Sequence, residues 1–371
     1  MSARAFFEHL PDPAAAPAVE RFRQAFGAQA DEFTLLAARV TGTPVAHHRE
    51  EMANVLATLQ LLLLPRQPPH GCLFRARGRV LIGLPANEPL AMPSVLACAS
   101  LLGGNVVQLR PATSTRPVVE RLVALLTAQG VPEGRLTLLG ADKALVEPAI
   151  RASDHVVWVG SSATCKLIAA QALAASVTFT TEAEGFDVGV VDETLDEAEL
   201  RRAAVEVVSS VTCHDGQACR ALRAVLVPAR FAARFRALVD EAVARLRIGP
   251  ADDAATEATH LPEILESAAL IFPTAVPFTS RLEIVPYREE ADVVSALERN
   301  PFGLSVAFFT RRAVADVLAG PAGHARVGRV LVNVPPRPVD PTVPWGGYRR
   351  TGSGPHDPVL DFVDVASIYR R

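Results

Sequence analysis

The stretch GRVLIGLPANEPLAMPSVLACASLLGGNVVQLRPAT, residues 78–113, decides how the rest of the chain is read. It opens on a short apolar run, GRVLIGLP (78–85), that has strand length and ends in a proline loop. Residues 88–102 carry apolar side chains at helical spacing and stop at Gly103-Gly104. VVQLR (106–110) is a second short apolar run. Strand, helix and strand in this order form a βαβ unit, and such units build parallel sheets.

The same alternation continues outward. A helix is predicted over 115–129, with Gly130 as its stop. LTLLG (136–140) and HVVWVG (155–160) read as strands, with helices over 143–151 and 162–174. A second block repeats the rhythm. Its strands are VGVVD (188–192), 221–227, LEIVPY (282–287), SVAFFT (305–310) and RVLVNV (329–334). Its helices are 195–210, 229–246, 289–299 and 312–319. Upstream of the decisive stretch, 17–40 and 45–64 read as helices, and PRQPPHG (65–71) breaks the pattern. Residues 248–262 read as a loop, and 335–355 are rich in Pro and Gly. The boundary between the blocks falls near 182–187. Clefts between such blocks are common ligand sites.

Composition narrows the function. The chain has 371 residues, 49% of them apolar and 21% charged, which is ordinary globular usage. Its net charge is 37 − 40 = −3, so it lacks the basic footprint of nucleic-acid binding or an anionic membrane surface. Only Lys143 and Lys166 are lysines, so arginine stands at most basic positions. The apolar run LATLQLLLLP (56–65) is too short to cross a bilayer, and no secretory leader is read at the N-terminus. Five cysteines without a repeating spacing favour reduced thiols and a cytoplasmic location.

Four strings carry candidate chemistry. TCHDGQAC (212–219) holds Cys213, His214 and Cys219, whose spacing matches no common structural zinc pattern; no metal site is expected. The turn before Cys219 places a thiol beside backbone N–H groups, which lower a thiol pKa and hold an oxyanion. A buried structural cysteine is the plain alternative. Asn87 in LPANEP offers an amide donor, or bonds only its own turn. Glu182 and Glu184 in TTEAEG are a general base or solvated loop carboxylates. VGSSAT (159–164) opens a helix, where it caps the first turn or admits a phosphate.

Nine strings in order resemble the aldehyde dehydrogenase superfamily. They are LPANEPLAMP (84–93), GGNVVQLRPAT (103–113), GVPEGRLTLLG (130–140), VWVGSSAT (157–164), TEAEG (181–185), DGQAC (215–219), NPFGLSVAFFT (300–310), GRVLVN (328–333) and PWGGYRRTGSG (344–354). The resemblance implies an α/β fold with a Rossmann-like cofactor domain over 1–184 and an α/β catalytic domain over 185–343. The segment 344–371 returns to the cofactor domain, and the oligomerisation flap is reduced to about one strand, 72–77. It implies that Cys219 is the nucleophile, that Asn87 supplies the oxyanion amide, and that Glu182, or Glu184 beside it, is the base. It further implies an NAD or NADP site at Pro85, Ala86, Arg110, Gly160, Ser161 and Gly185.

Departures accompany the resemblance. The chain is short between 248 and 282, and VPFTSRLE (276–283) stands where a ribose-binding Glu is usual. The activity the resemblance implies is oxidation of a small-molecule aldehyde, and the departures favour the alternatives. The alternatives are reduction of an acyl thioester, on coenzyme A or a carrier protein, and non-redox acyl transfer. A homodimer is expected.

Overall fold

The computed structural model describes residues 5–337, 339–354, 357, 358 and 360–367. The parts of the C-terminal segment at 355, 356, 359 and 368–371 lie outside the described residues.

The decisive stretch forms strand β3 (Arg79–Gly83), helix α4 (Ala91–Leu102) and strand β4 (Val106–Arg110). They belong to a fully parallel five-stranded sheet of order β5-β4-β3-β6-β7, with β5 (Leu136–Leu138), β6 (His155–Val159) and β7 (Thr178–Glu182). Strand alternation divides the β3 side chains between two cores. Val80 and Ile82 pack with α1 (Ala16–Ala28), α2 (Ala30–Thr41), α3 (Val45–Leu62), α4 and α5 (Arg116–Ala128). Leu81 faces the other core, with α6 (Val146–Arg151) and α7 (Ser162–Ala174). Burial on both faces explains why these strands read as continuous apolar runs. The Trp158 ring of β6 lies against Gly83. A Cβ there would meet the ring at 2.3 Å, so only glycine lets the two strand ends close.

The second block forms a six-stranded parallel sheet of order β10-β11-β9-β8-β13-β14. Its strands are β8 (Asp187–Val191), β9 (Leu222–Pro228), β10 (Glu263–Glu266), β11 (Arg281–Tyr287), β13 (Ser305–Phe309) and β14 (Arg329–Val332). Helices α8 (Glu197–Val211) and α9 (Ala232–Val243) cover one face, and α10 (Glu290–Arg299) and α11 (Val314–Ala319) the other. Helix α8 opens on a capping box between Asp196 and Glu199. Two small sheets complete the fold. Strands β12 (Phe302–Gly303) and β15 (Tyr348–Arg349) pair antiparallel, and β2 (Cys72–Ala76) lies between β1 (Phe6–Phe7) and β16 (Val363–Ser367). No described helix is long and apolar enough to cross a membrane.

Several local expectations are corrected. The helix expected over 17–40 is two helices, broken at Gln29, whose φ of −106° and ψ of 19° leave helical geometry. Residues Thr180–Glu182, read as boundary loop, end strand β7, because polar threonines on a half-buried edge hide the strand period. Strand β10 after the 248–262 loop and strand β16 near the C-terminus were not expected.

Candidate active site

One cleft of about 400 Å³ opens where the carboxyl ends of β3, β6 and β7 face the second sheet. This is the general position for ligands in open α/β sheets, and the volume lies in the range of small-molecule sites. Cys219, Asn87, Glu182 and Glu184 all line it.

The turn that leads to Cys219 is built by unusual backbone. His214, Asp215 and Gly216 follow one another at φ of 47°, 51° and 75°. Two non-glycine residues in the left-handed region cost energy that neighbours must offset. Asp215 accepts hydrogen bonds from the Thr259 backbone N–H at 3.0 Å and its hydroxyl at 2.8 Å. Arg223 donates to the Thr279 carbonyl at 2.7 Å and to the Gly216 carbonyl. A Cβ on Gly216 would fall 2.2 Å from Thr279 backbone, so this loop crossing needs glycine. Beyond the turn, the Asn87 side-chain N–H₂ donates to the Gln217 carbonyl at 2.9 Å. That bond joins the β3 loop to this turn two residues before Cys219. It uses one of the two amide hydrogens, so Asn87 retains a second donor. The Cys219 backbone N–H has no hydrogen-bond partner among the described residues.

The thiol departs from expectation. Cys219 is half-buried, and desolvation together with the Glu88 charge pushes its pKa up to about 12. The expected lowering by backbone N–H groups is therefore corrected: the thiol rests neutral. Glu88 forms a buried ion pair with Arg220, whose Nε also donates to the Arg337 carbonyl at 2.9 Å. Neither Glu88 nor Arg220 was read from sequence as a site residue; adjacency to Asn87 and Cys219 was the only signal.

The two glutamates do different things. Glu182 is buried, and its carboxyl fits where Gly346 and Gly352 leave room. Burial and the charge of Asp361 hold that carboxyl well above the usual carboxylate range. Glu184 turns its carboxylate to the first turn of α7, where Oε2 accepts the Ser162 N–H and Oε1 lies 4.0 Å from the Arg350 guanidinium. Ser161 caps the same helix, accepting the Thr164 N–H at 3.3 Å. Pro85, Ala86, Gly160, Ser161 and Gly185 line the cleft. Gly185 packs tightly: a Cβ there would fall 2.4 Å from the Cys219 carbonyl oxygen. Arg110 lies outside the cleft lining and donates to the Pro111 and Ala141 carbonyls. Cys213, His214 and Cys219 do not gather as metal ligands; His214 instead meets His48 and Glu51.

Sequence comparison decides the family. The aldehyde dehydrogenase family model matches residues 3–264. The chain belongs to the aldehyde dehydrogenase family. Among relatives of this family, the α-ketoglutaric semialdehyde dehydrogenase of Bacillus subtilis is 26% identical over 222 residues, 56% of this chain and 45% of that protein. The N-succinylglutamate 5-semialdehyde dehydrogenase of Sphingopyxis alaskensis is 27% identical, over 62% of this chain and 50% of its own length. The chain thus spans about half the length of these curated relatives. The aldehyde dehydrogenase fold itself is matched throughout. The solved structure of Gox0499 superposes with a TM-score of 0.84 at 20% identity, covering 96% of this chain and 90% of that one. An NAD-dependent aldehyde dehydrogenase from Sinorhizobium meliloti gives 0.84 at 17% identity, covering 95% and 80%.

Proposed function

We propose that the protein is a nicotinamide-dependent oxidoreductase that acts on an aldehyde through a covalent adduct on Cys219. The observation that carries this reading is the Asn87–Gln217 hydrogen bond, which fixes an amide donor beside the nucleophile turn.

The chemistry follows from the groups present. Cys219 loses its proton and its sulfur adds to the aldehyde carbon, giving a thiohemiacetal. Asn87 and the Cys219 N–H stabilise the oxygen that becomes negative. Bound NAD or NADP supplies the acceptor for the hydride that leaves that carbon. Glu182 then takes a proton from water as the water attacks the thioester on Cys219, and the acid is released. Because burial disfavours both the Cys219 thiolate and the Glu182 carboxylate, turnover rises toward alkaline pH.

The cleft fits such a cofactor at one end better than at the other. Pro85, Ala86, Gly160, Ser161 and Gly185 would hold it. A helix N-terminus after a parallel strand is the usual seat of a diphosphate. In this chain the Glu184 carboxylate already accepts the Ser162 N–H there. A negative side chain in the anion position supports weak cofactor binding and leaves Glu182 as the better base.

A second reading is favoured by Glu182, whose burial disfavours the ionised carboxylate that must take a proton from water. With deacylation by water impeded, an acyl group on Cys219 passes to or from a thiol such as coenzyme A or a carrier protein. The test is a mass-spectrometric chase of acylated Cys219, with and without added thiol. Hydrolysis without thiol, lost in Glu182→Gln, supports aldehyde oxidation. Release only on adding thiol supports the thioester reading, and failure to acylate Cys219 refutes both. The five free cysteines support a reducing, cytoplasmic setting.

A further inference from the structure

Behind the turn that precedes Cys219 lies a buried group of side chains that the chemistry above does not use, although its Glu51 also lines the cleft. His48 and Glu51 stand three residues apart on α3, so they share one helix face. His48 Nδ1 lies 2.8 Å from Glu51 Oε2. His214 approaches from the nucleophile turn, its ring 5.1 Å from that of His48. His48, Glu51 and His214 are at most 3% exposed, and their donor atoms lie within 4.8 Å of one another. His214 Nδ1 is buried without a hydrogen-bond partner. A buried imidazole nitrogen left unpaired is costly, and native structures usually have a reason for one.

We propose that His48, Glu51 and His214 bind a divalent transition-metal ion of the zinc class, and that this ion ties the Cys219 turn to helix α3. Two imidazoles and one carboxylate are a common nitrogen–oxygen set for such an ion. The surroundings have the features of an outer shell that orients ligands. His48 Nε2 is held by the Thr43 hydroxyl at 2.8 Å and the Thr41 hydroxyl at 3.0 Å, which leaves Nδ1 for the metal. Glu51 Oε1 accepts the N–H groups of Leu90 and Ala91 at 2.9 and 2.7 Å, which leaves Oε2. His47 Nδ1 accepts the His214 backbone N–H at 3.1 Å and so holds the third ligand's main chain. The nearby arginines are already balanced, Arg220 by Glu88 and Arg337 by Glu50.

Binding exchanges one hydrogen bond for three metal bonds. With the ion on Nδ1, His48 is a neutral ring that carries its proton on Nε2 and donates it to the Thr43 or Thr41 hydroxyl. Tetrahedral zinc sets its ligand atoms about 3.3 Å apart, so the His214 ring must close on the other two. The mechanical consequence follows from connectivity. Glu51 grips the backbone just after Asn87, and His214 begins the turn that ends at Cys219. One ion would therefore hold both halves of the oxyanion site to one helix.

The test does not depend on the proposed activity. The full chain carrying Cys219→Ala, so that its thiol cannot ligate, is stripped with chelator and titrated with cobalt(II) and zinc. The proposal expects about one ion per chain, a visible cobalt spectrum of a four- or five-coordinate nitrogen–oxygen site, and no thiolate charge-transfer band. His214→Gln and Glu51→Gln should each weaken binding at least about tenfold. If either variant fails to fold, the titration of the parent still decides. No stoichiometric binding by the parent overturns the proposal. So does binding that both variants retain, or a cobalt spectrum with thiolate bands.

Discussion

The two walls of the cleft are built on different principles. On one wall, Asn87 and the Cys219 turn are joined by a direct hydrogen bond and braced by Asp215, Arg223 and a glycine crossing. On the other, burial and the Asp361 charge disfavour the ionised Glu182 carboxyl, and Glu184 spends its carboxylate on the start of α7. Addition of a thiol to a carbonyl needs only the first wall. Holding a dinucleotide and releasing the acyl group need the second. Under the proposed function, the difference teaches that the wall serving covalent addition is the more firmly built one, and that the wall assigned to cofactor and water is the one whose carboxylates are buried or engaged elsewhere.

The sharpest way to break the comparison is to remove the nucleophile. Cys219→Ala should lower turnover at least about 10³-fold, since loss of a nucleophile disables the whole constellation. Steady-state kinetics checks this, and near-normal activity would move the chemistry elsewhere. Asn87→Ala comes next. One oxyanion donor is worth about 10²–10³ in kcat, and the loss should appear in kcat rather than KM. The second wall predicts the opposite sign. Glu184→Gln removes a charge from the α7 N-terminus and should tighten NAD or NADP binding by roughly threefold to tenfold in calorimetry. Unchanged or weaker binding would show that the carboxylate does not compete with the cofactor.

A further effect, on stability rather than activity, lies in the first sheet. Burial, with the nearby Arg77 charge, lowers His155 to about 3. Its folded pKa lies below its unfolded value, so its stabilising contribution is present above about pH 6.5 and is lost as pH falls toward 3. Stability should drop by up to about 1.4 kcal/mol per pH unit across that window, and His155→Gln should flatten the slope. Urea melts at stepped pH would show it.

The fold was legible because both sheets are parallel and buried, so each strand appears as an apolar run between helices. That Cys219 and Asn87 meet in one cleft was legible because their strings are local: the turn before Cys219 and the loop holding Asn87 are short. The glutamates were less so. TTEAEG shows two carboxylates, but only packing against Gly346, Gly352 and Ser162 separates the buried acid from the helix cap. The raised thiol pKa was hidden too, because Glu88 and the burial of Cys219 arise from tertiary packing. His48 and Glu51 lie more than 160 residues from His214 in the chain, and no local pattern joins them.

The central claim is that Cys219, served by Asn87, takes the acyl group. The most direct measurement is peptide mapping after brief treatment with an activated ester, p-nitrophenyl acetate, in mildly alkaline buffer. The account predicts acetyl on the peptide bearing Cys219, formed faster as pH rises because the thiol rests neutral, and formed slowly in Asn87→Ala. Acetyl on Cys72 or Cys213 with Cys219 unmodified, or equal labelling in Asn87→Ala, would contradict it.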